Sequence, residues 1–160
     1  MYEEPSETEI RNNPAWLVEQ AEALLAGQTD LVANAANLSS LLFHSLDEVN
    51  WAGFYFLKGG RLIVGPFQGK PACVEIPLEK GVCGTAAETG KIQRVADVHE
   101  FEGHIACDAA SRSEIVLPLF RGGELLGVLD IDSPVPNRFG PVEESLLKEV
   151  AEVFLRSLDG

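Results

Sequence analysis

Apolar residues recur every three or four positions from Pro14, switch to every second position at Trp51, and return to the helical spacing for good only after Pro141. The first helical stretch opens on Pro14, carries Trp16, Leu17, Ala21, Leu24 and Leu25 on one face, and stops at Gly27. A second begins after Asp30, a good N-cap, with Leu31, Ala35, Leu38, Leu41, Leu42 and Leu46 as its stripe. Its Ala33-Asn-Ala-Ala-Asn centre favours close packing. Strands then follow: Trp51–Leu57 and Arg61–Gly65 flank the turn Lys58-Gly59-Gly60, residues 66–71 read as a loop, and Cys73–Ile76 is a short third strand. A glycine-bounded helix over 81–90 precedes a fourth strand, Lys91–Val95. Glu114–Phe120 and Glu124–Asp132, joined by Arg121-Gly122-Gly123, form the clearest hairpin, and Pro141 starts a final helix with Val142, Leu146, Val150, Val153, Phe154 and Leu158 on one side. Hairpin-linked strands between terminal helices predict an α+β domain. Its antiparallel sheet has about six strands, with the N- and C-terminal helices on one face and a ligand pocket under loops on the other.

One stretch fits neither period. Phe101–Glu114 contains Gly103, His104, Asp108, Ser111, Ser113 and Glu114, too polar for a core, yet carries Cys107 and runs straight into an apolar strand. A cysteine on an irregular polar segment mounted on a rigid sheet is the usual position of a functional thiol.

Composition narrows the options. A length of 160 residues gives one domain, read as 14–160 behind a flexible arm at 1–13. The net charge of −13 argues against a nucleic-acid partner and against anionic membranes. The N-terminal residues lack a basic and an apolar signal region, and no apolar run approaches a membrane span, so the expected location is the cytoplasm, where thiols are reduced.

Three cysteines stand at 73, 83 and 107, with no Cys-x-x-Cys pair, so neither a zinc ribbon nor a thioredoxin-type pair is present, and no metal is expected. Cys83, beside Val82 and Gly84, suits a small buried hydrophobe; Cys73 lies at a loop–strand junction; Cys107 is the most functional in setting. A redox pair needs one thiol that attacks and another near enough to resolve it. Asp130 and Asp132 share one strand face inside an apolar run, and the hairpin brings Glu114 towards Asp130. Three converging carboxylates raise at least one pKa and suit a cation, either a metal or a ligand ammonium, while a protonated member can serve as a general acid. Trp51 and Tyr55 share a face, with Gly53 leaving an open slot between them for an apolar ligand end.

The strings Trp51-Ala-Gly-Phe-Tyr, Gly65-Pro-Phe-Gln-Gly-Lys-Pro-Ala-Cys73, Gly81-Val-Cys83-Gly and Gly103-His-Ile-Ala-Cys107-Asp-Ala-Ala-Ser resemble the free methionine-(R)-sulfoxide reductases, which are built on a GAF domain. That resemblance implies an oxidoreductase, active under oxidative stress, that reduces the free amino acid rather than protein-bound methionine sulfoxide. By analogy Cys107 attacks the sulfoxide sulfur, Cys73 forms a disulfide with the resulting sulfenic acid, and Cys83 is an auxiliary or alternative resolving thiol. It implies no bound cofactor, thioredoxin (kept reduced by NADPH-dependent thioredoxin reductase) as electron donor, and a homodimer. Glu114, Asp130 and Asp132 then meet the substrate ammonium, Trp51 and Tyr55 its methyl end. The same anions disfavour a Cys107 thiolate, so the reactive thiolate is expected mainly in the substrate complex. The alternatives are a non-catalytic, ligand-binding or redox-sensing GAF domain and a metal-dependent hydrolase.

Overall fold

Among the described residues, period-two patterning builds six strands, all paired antiparallel in the order β3-β2-β1-β6-β5-β4. The computed structural model describes residues 13–103 and 110–159. The elements are α1 (Ala15–Leu25), α2 (Leu31–Ser45), β1 (Trp51–Lys58), β2 (Arg61–Gly69), β3 (Glu75–Pro77), α3 (Gly81–Thr89), β4 (Gln93–Val95), a 3-10 turn (Val98–Glu100), β5 (Ser113–Arg121), β6 (Glu124–Ser133) and α4 (Pro141–Ser157). The arm at 1–13 falls almost wholly outside the described residues, as does the attacking thiol assigned to Cys107.

Alternation sends Ala52, Phe54, Phe56, Ile115, Leu117, Leu119, Leu129 and Ile131 to one face, where they pack against α1, α2 and α4. Phe54 and Phe154 close this layer with ring centroids 4.7 Å apart. Asp30 caps α2 by accepting from the Ala33 amide at 2.8 Å. The polar centre of α2 allows close approach as expected: buried Asn34 donates to the Gln28 carbonyl at 2.8 Å and to Ser157 Oγ at 3.0 Å, while Ser39 Oγ donates to the Ala35 carbonyl at 2.7 Å with the Pro66 carbonyl 3.1 Å away. These bonds satisfy buried polar groups that would otherwise cost about 1–3 kcal/mol each.

Several features differ from the sequence reading. Residues 66–69, read as loop, continue β2, because Gly65 and Pro66 together oppose Phe54 in a bulge, one of the few sheet positions that tolerate proline. The third strand starts at Glu75, leaving Cys73 in the preceding loop. In α4 the buried face is Leu147, Val150, Ala151, Val153 and Phe154, whereas Val142 is exposed. Val142 lies five residues before Leu147, about 140° round a 3.6-residue helix, and so points away from the sheet.

The opposite face of the sheet carries a second apolar cluster, with Trp51, Tyr55, Val116 and Val128 under α3. Gly84 lets α3 sit tightly on the turn after β3: a Cβ there would lie 2.6 Å from the Pro77 carbonyl oxygen. That contact fixes where its neighbour Cys83 points.

Candidate active site

Register places the carboxylates. Asp132 pairs with Glu114 on β5 and with Trp51 on β1, while Asp130 pairs with Val116 and Gly53. All six therefore share the face under α3. Glu114 and Asp130 are buried at 7% and 4% exposure, and Asp132 is half-buried. Asp130 Oδ1 has no hydrogen-bond partner. Cys83 comes down from α3 and its thiol donates a long hydrogen bond to Glu114 Oε2, at 3.9 Å. One donor atom from each of Cys83, Glu114 and Asp130 falls within 4.8 Å of the others.

Burial raises the pKa of Glu114, and the Asp130 charge raises it further. Burial likewise raises Asp130, followed by repulsion from Asp132. Cys83 is held as a thiol by burial, then by the Asp130 and Glu114 charges. Tyr55 is pushed up for the same reasons, burial first and Asp130 second. Burial and mutual repulsion thus favour the uncharged forms of these groups, and a cation among them would favour the charged forms.

The apolar wall is larger than expected. Trp51 stacks on Tyr55 with centroids 5.7 Å apart and on Phe67 at 5.1 Å. The open slot at Gly53 is not there. A Cβ at Gly53 would lie 2.3 Å from Phe67 Cβ, so the bulged β2 fills the space that glycine leaves. Phe67 was missed because Pro66 marked its segment as loop. Two hydrogen bonds pin that connection over the site: Trp51 Nε1 donates to the Lys70 carbonyl at 3.2 Å, and Tyr55 OH donates to the Cys73 carbonyl at 3.3 Å. Cys73 itself is disulfide-bonded, and Cys83 is a free thiol. Cys107 lies outside the described residues.

Trp51, Tyr55, Cys83, Glu114, Asp130 and Asp132 thus line one cleft, roofed by Pro71, Ala72 and Ile76 and closed by Lys80–Val82 and Ser111. Lys80 and Ser111 carried no periodic signal; Ser111 is placed by the 3.2 Å hydrogen bond it accepts from Asn50 Nδ2. The free space is about 40 Å³, room for about one water, against the roughly 300–1,000 Å³ of ligand pockets.

A model of the GAF domain family matches residues 17–157. The chain belongs to the GAF-domain family. This GAF domain is 56% identical over 128 residues to the free methionine-R-sulfoxide reductase of Escherichia coli, covering 80% of this chain and 78% of that one. It is 58% identical over 144 residues to protein YtsP of Bacillus subtilis, covering 89% and 88%. Among solved structures, the free methionine-R-sulfoxide reductase of Neisseria meningitidis in complex with its substrate superimposes with a TM-score of 0.88 at 35% identity, covering 99% of this chain and 94% of that one. No helix among the described residues is long and apolar enough to cross a membrane.

Proposed function

We propose that this GAF domain reduces free methionine-(R)-sulfoxide to methionine, as its relatives' names state for them. The carrying observation is the cleft itself, where a buried carboxylate with an unpartnered oxygen, Asp130, lies beside the aromatic wall of Trp51. A free amino acid supplies an ammonium, which a residue within a polypeptide lacks, and the buried carboxylates of Glu114 and Asp130 match it. The methyl end of the sulfoxide meets the stacked rings of Trp51, Tyr55 and Phe67.

In the proposed reaction the Cys107 sulfur attacks the sulfoxide sulfur. The sulfoxide oxygen is protonated by a carboxyl of the cluster, for which the raised pKa values of Glu114 and Asp130 suit them. The oxygen then passes as hydroxyl from the methionine sulfur to Cys107 as the new sulfur–sulfur bond breaks, so methionine leaves and Cys107 is left as a sulfenic acid. The Cys73 thiol attacks that sulfur, a disulfide forms, and the oxygen departs as water. Thioredoxin then reduces the disulfide, with no bound cofactor. The disulfide at Cys73 supports a redox role for that residue, and the free, buried Cys83 fits an auxiliary position. A cytoplasmic homodimer, with the catalytic unit spanning 14–160, completes the proposal.

The test is turnover with dithiothreitol on three substrates: the free R-sulfoxide, the free S-sulfoxide and an R-sulfoxide inside a peptide. Turnover restricted to the free R-sulfoxide supports the reading. Binding of that sulfoxide without turnover would instead indicate a sensor.

A further inference from the structure

We propose that Cys83, Glu114 and Asp130 form a site for a borderline-soft divalent cation, zinc foremost, and that metal held there excludes the ammonium of the amino-acid ligand. The three side chains come from α3, β5 and β6, so the site is set by tertiary packing and has no ligand spacing in the sequence. Their donor atoms already lie within 4.8 Å of one another, and all three residues are buried. Zinc bonds of about 2.3 Å to sulfur and 2.1 Å to oxygen at tetrahedral angles set sulfur and oxygen ligands roughly 3.6 Å apart. The Cys83 Sγ to Glu114 Oε2 distance of 3.9 Å needs a shift of only a few tenths of an ångström.

A second observation points to a cation. Asp130 is 4% exposed and its Oδ1 is buried with no hydrogen-bond partner, an acceptor built into the fold and left unmatched. The thiol separates zinc from harder ions. Magnesium and calcium prefer all-oxygen shells with several waters, and the cleft has room for about one water. On binding, the thiol proton and any carboxyl proton leave to solvent. One metal with charge +2 then faces a thiolate and two carboxylates, where three bare anions would repel. Only the exclusion of the ammonium rests on the function proposed above; the metal site itself does not.

The full chain carrying Cys73→Ser and Cys107→Ser retains Cys83 as its sole thiol and isolates the site. Titrated with Co²⁺, it should bind one ion per chain with a thiolate-to-cobalt charge-transfer band, which one equivalent of Zn²⁺ removes. Adding Cys83→Ser should abolish the band. Adding Asp130→Asn instead should weaken binding at least by the ~10-fold that loss of even an outer-shell partner brings. Circular dichroism and urea midpoints establish that each variant is folded. No band in the folded protein, or binding indifferent to both substitutions, overturns the site. Free methionine-(R)-sulfoxide should bleach the band of the cobalt-loaded protein. A band unmoved by saturating sulfoxide, when the wild type turns that sulfoxide over, overturns the exclusion. A wild type without turnover, beside an intact band, sinks the proposed function and leaves the metal site standing.

Discussion

Asp130→Asn should make the protein more stable at neutral pH. Glu114 and Asp130 place carboxylate oxygens within 4.8 Å. Two unit charges at that distance repel by about 3.5 kcal/mol at an effective dielectric constant of about 20. Burial is the main reason that both groups titrate above their ordinary values of 4.5 and 3.8, and the Asp130 charge adds to it at Glu114 and the Asp132 charge at Asp130. The sign follows from proton counting. Above the unfolded value of each group and below its raised folded value, the native state holds more protons than the unfolded chain. Stability therefore falls as pH rises through that window, by at most about 1.4 kcal/mol per pH unit for each such proton. The amide introduced by Asp130→Asn carries no charge, so the repulsion is removed while its Nδ2 can still donate to Glu114. The expected gain at pH 7 is about 1–3 kcal/mol, the usual cost of an unmatched buried polar group. Urea unfolding of both proteins from pH 5 to pH 8 measures it. The wild type should lose stability with rising pH more steeply than the variant, with the two curves converging towards pH 5. A variant less stable than wild type at pH 7, with parallel pH profiles, would refute the reasoning. The same variant should raise the KM for the sulfoxide, because an ammonium loses its charged partner.

Gly53→Ala should destabilise by about 1–3 kcal/mol or more, because the new Cβ meets Phe67 Cβ at 2.3 Å and Cα at 2.7 Å and the bulge has to open; a urea midpoint within error of wild type would contradict this. Tyr55→Phe removes the hydrogen bond to the Cys73 carbonyl, so amide exchange in residues 70–74 should quicken, with a global stability loss of about 1 kcal/mol; unchanged exchange there would show that this bond does not hold the roof.

The layered fold was legible because each element states its own period. The β5–β6 hairpin shows this best: two glycines at the tip and alternating residues on both arms set which carboxylates meet, and Glu114 does pair beside Asp130. The capping of α2 by Asp30 was equally local. Non-local contacts were out of reach. Phe67 joins the aromatic wall only because a bulge absorbs Gly65 and Pro66, whereas residues 66–71 read as a loop. Cys83 reads as an ordinary buried residue in its own helix. Its acidic surroundings arise from β5 and β6, which lie far along the chain. Val142 shares the apolar side that the spacing predicts for the last helix and is nevertheless exposed, because the helical period has no fixed phase until a helix is docked.

The central claim is that this chain transfers oxygen from a free sulfoxide to its own thiols. A single turnover tests it without any electron donor. Fully reduced protein is mixed with one equivalent of free methionine-(R)-sulfoxide, and methionine, free thiols and disulfide-linked peptides are counted. The account predicts about one methionine released per chain, two thiols lost, and a peptide linking Cys73 to Cys107, with no release from Cys107→Ser. Intact sulfoxide beside three unchanged thiols would contradict it.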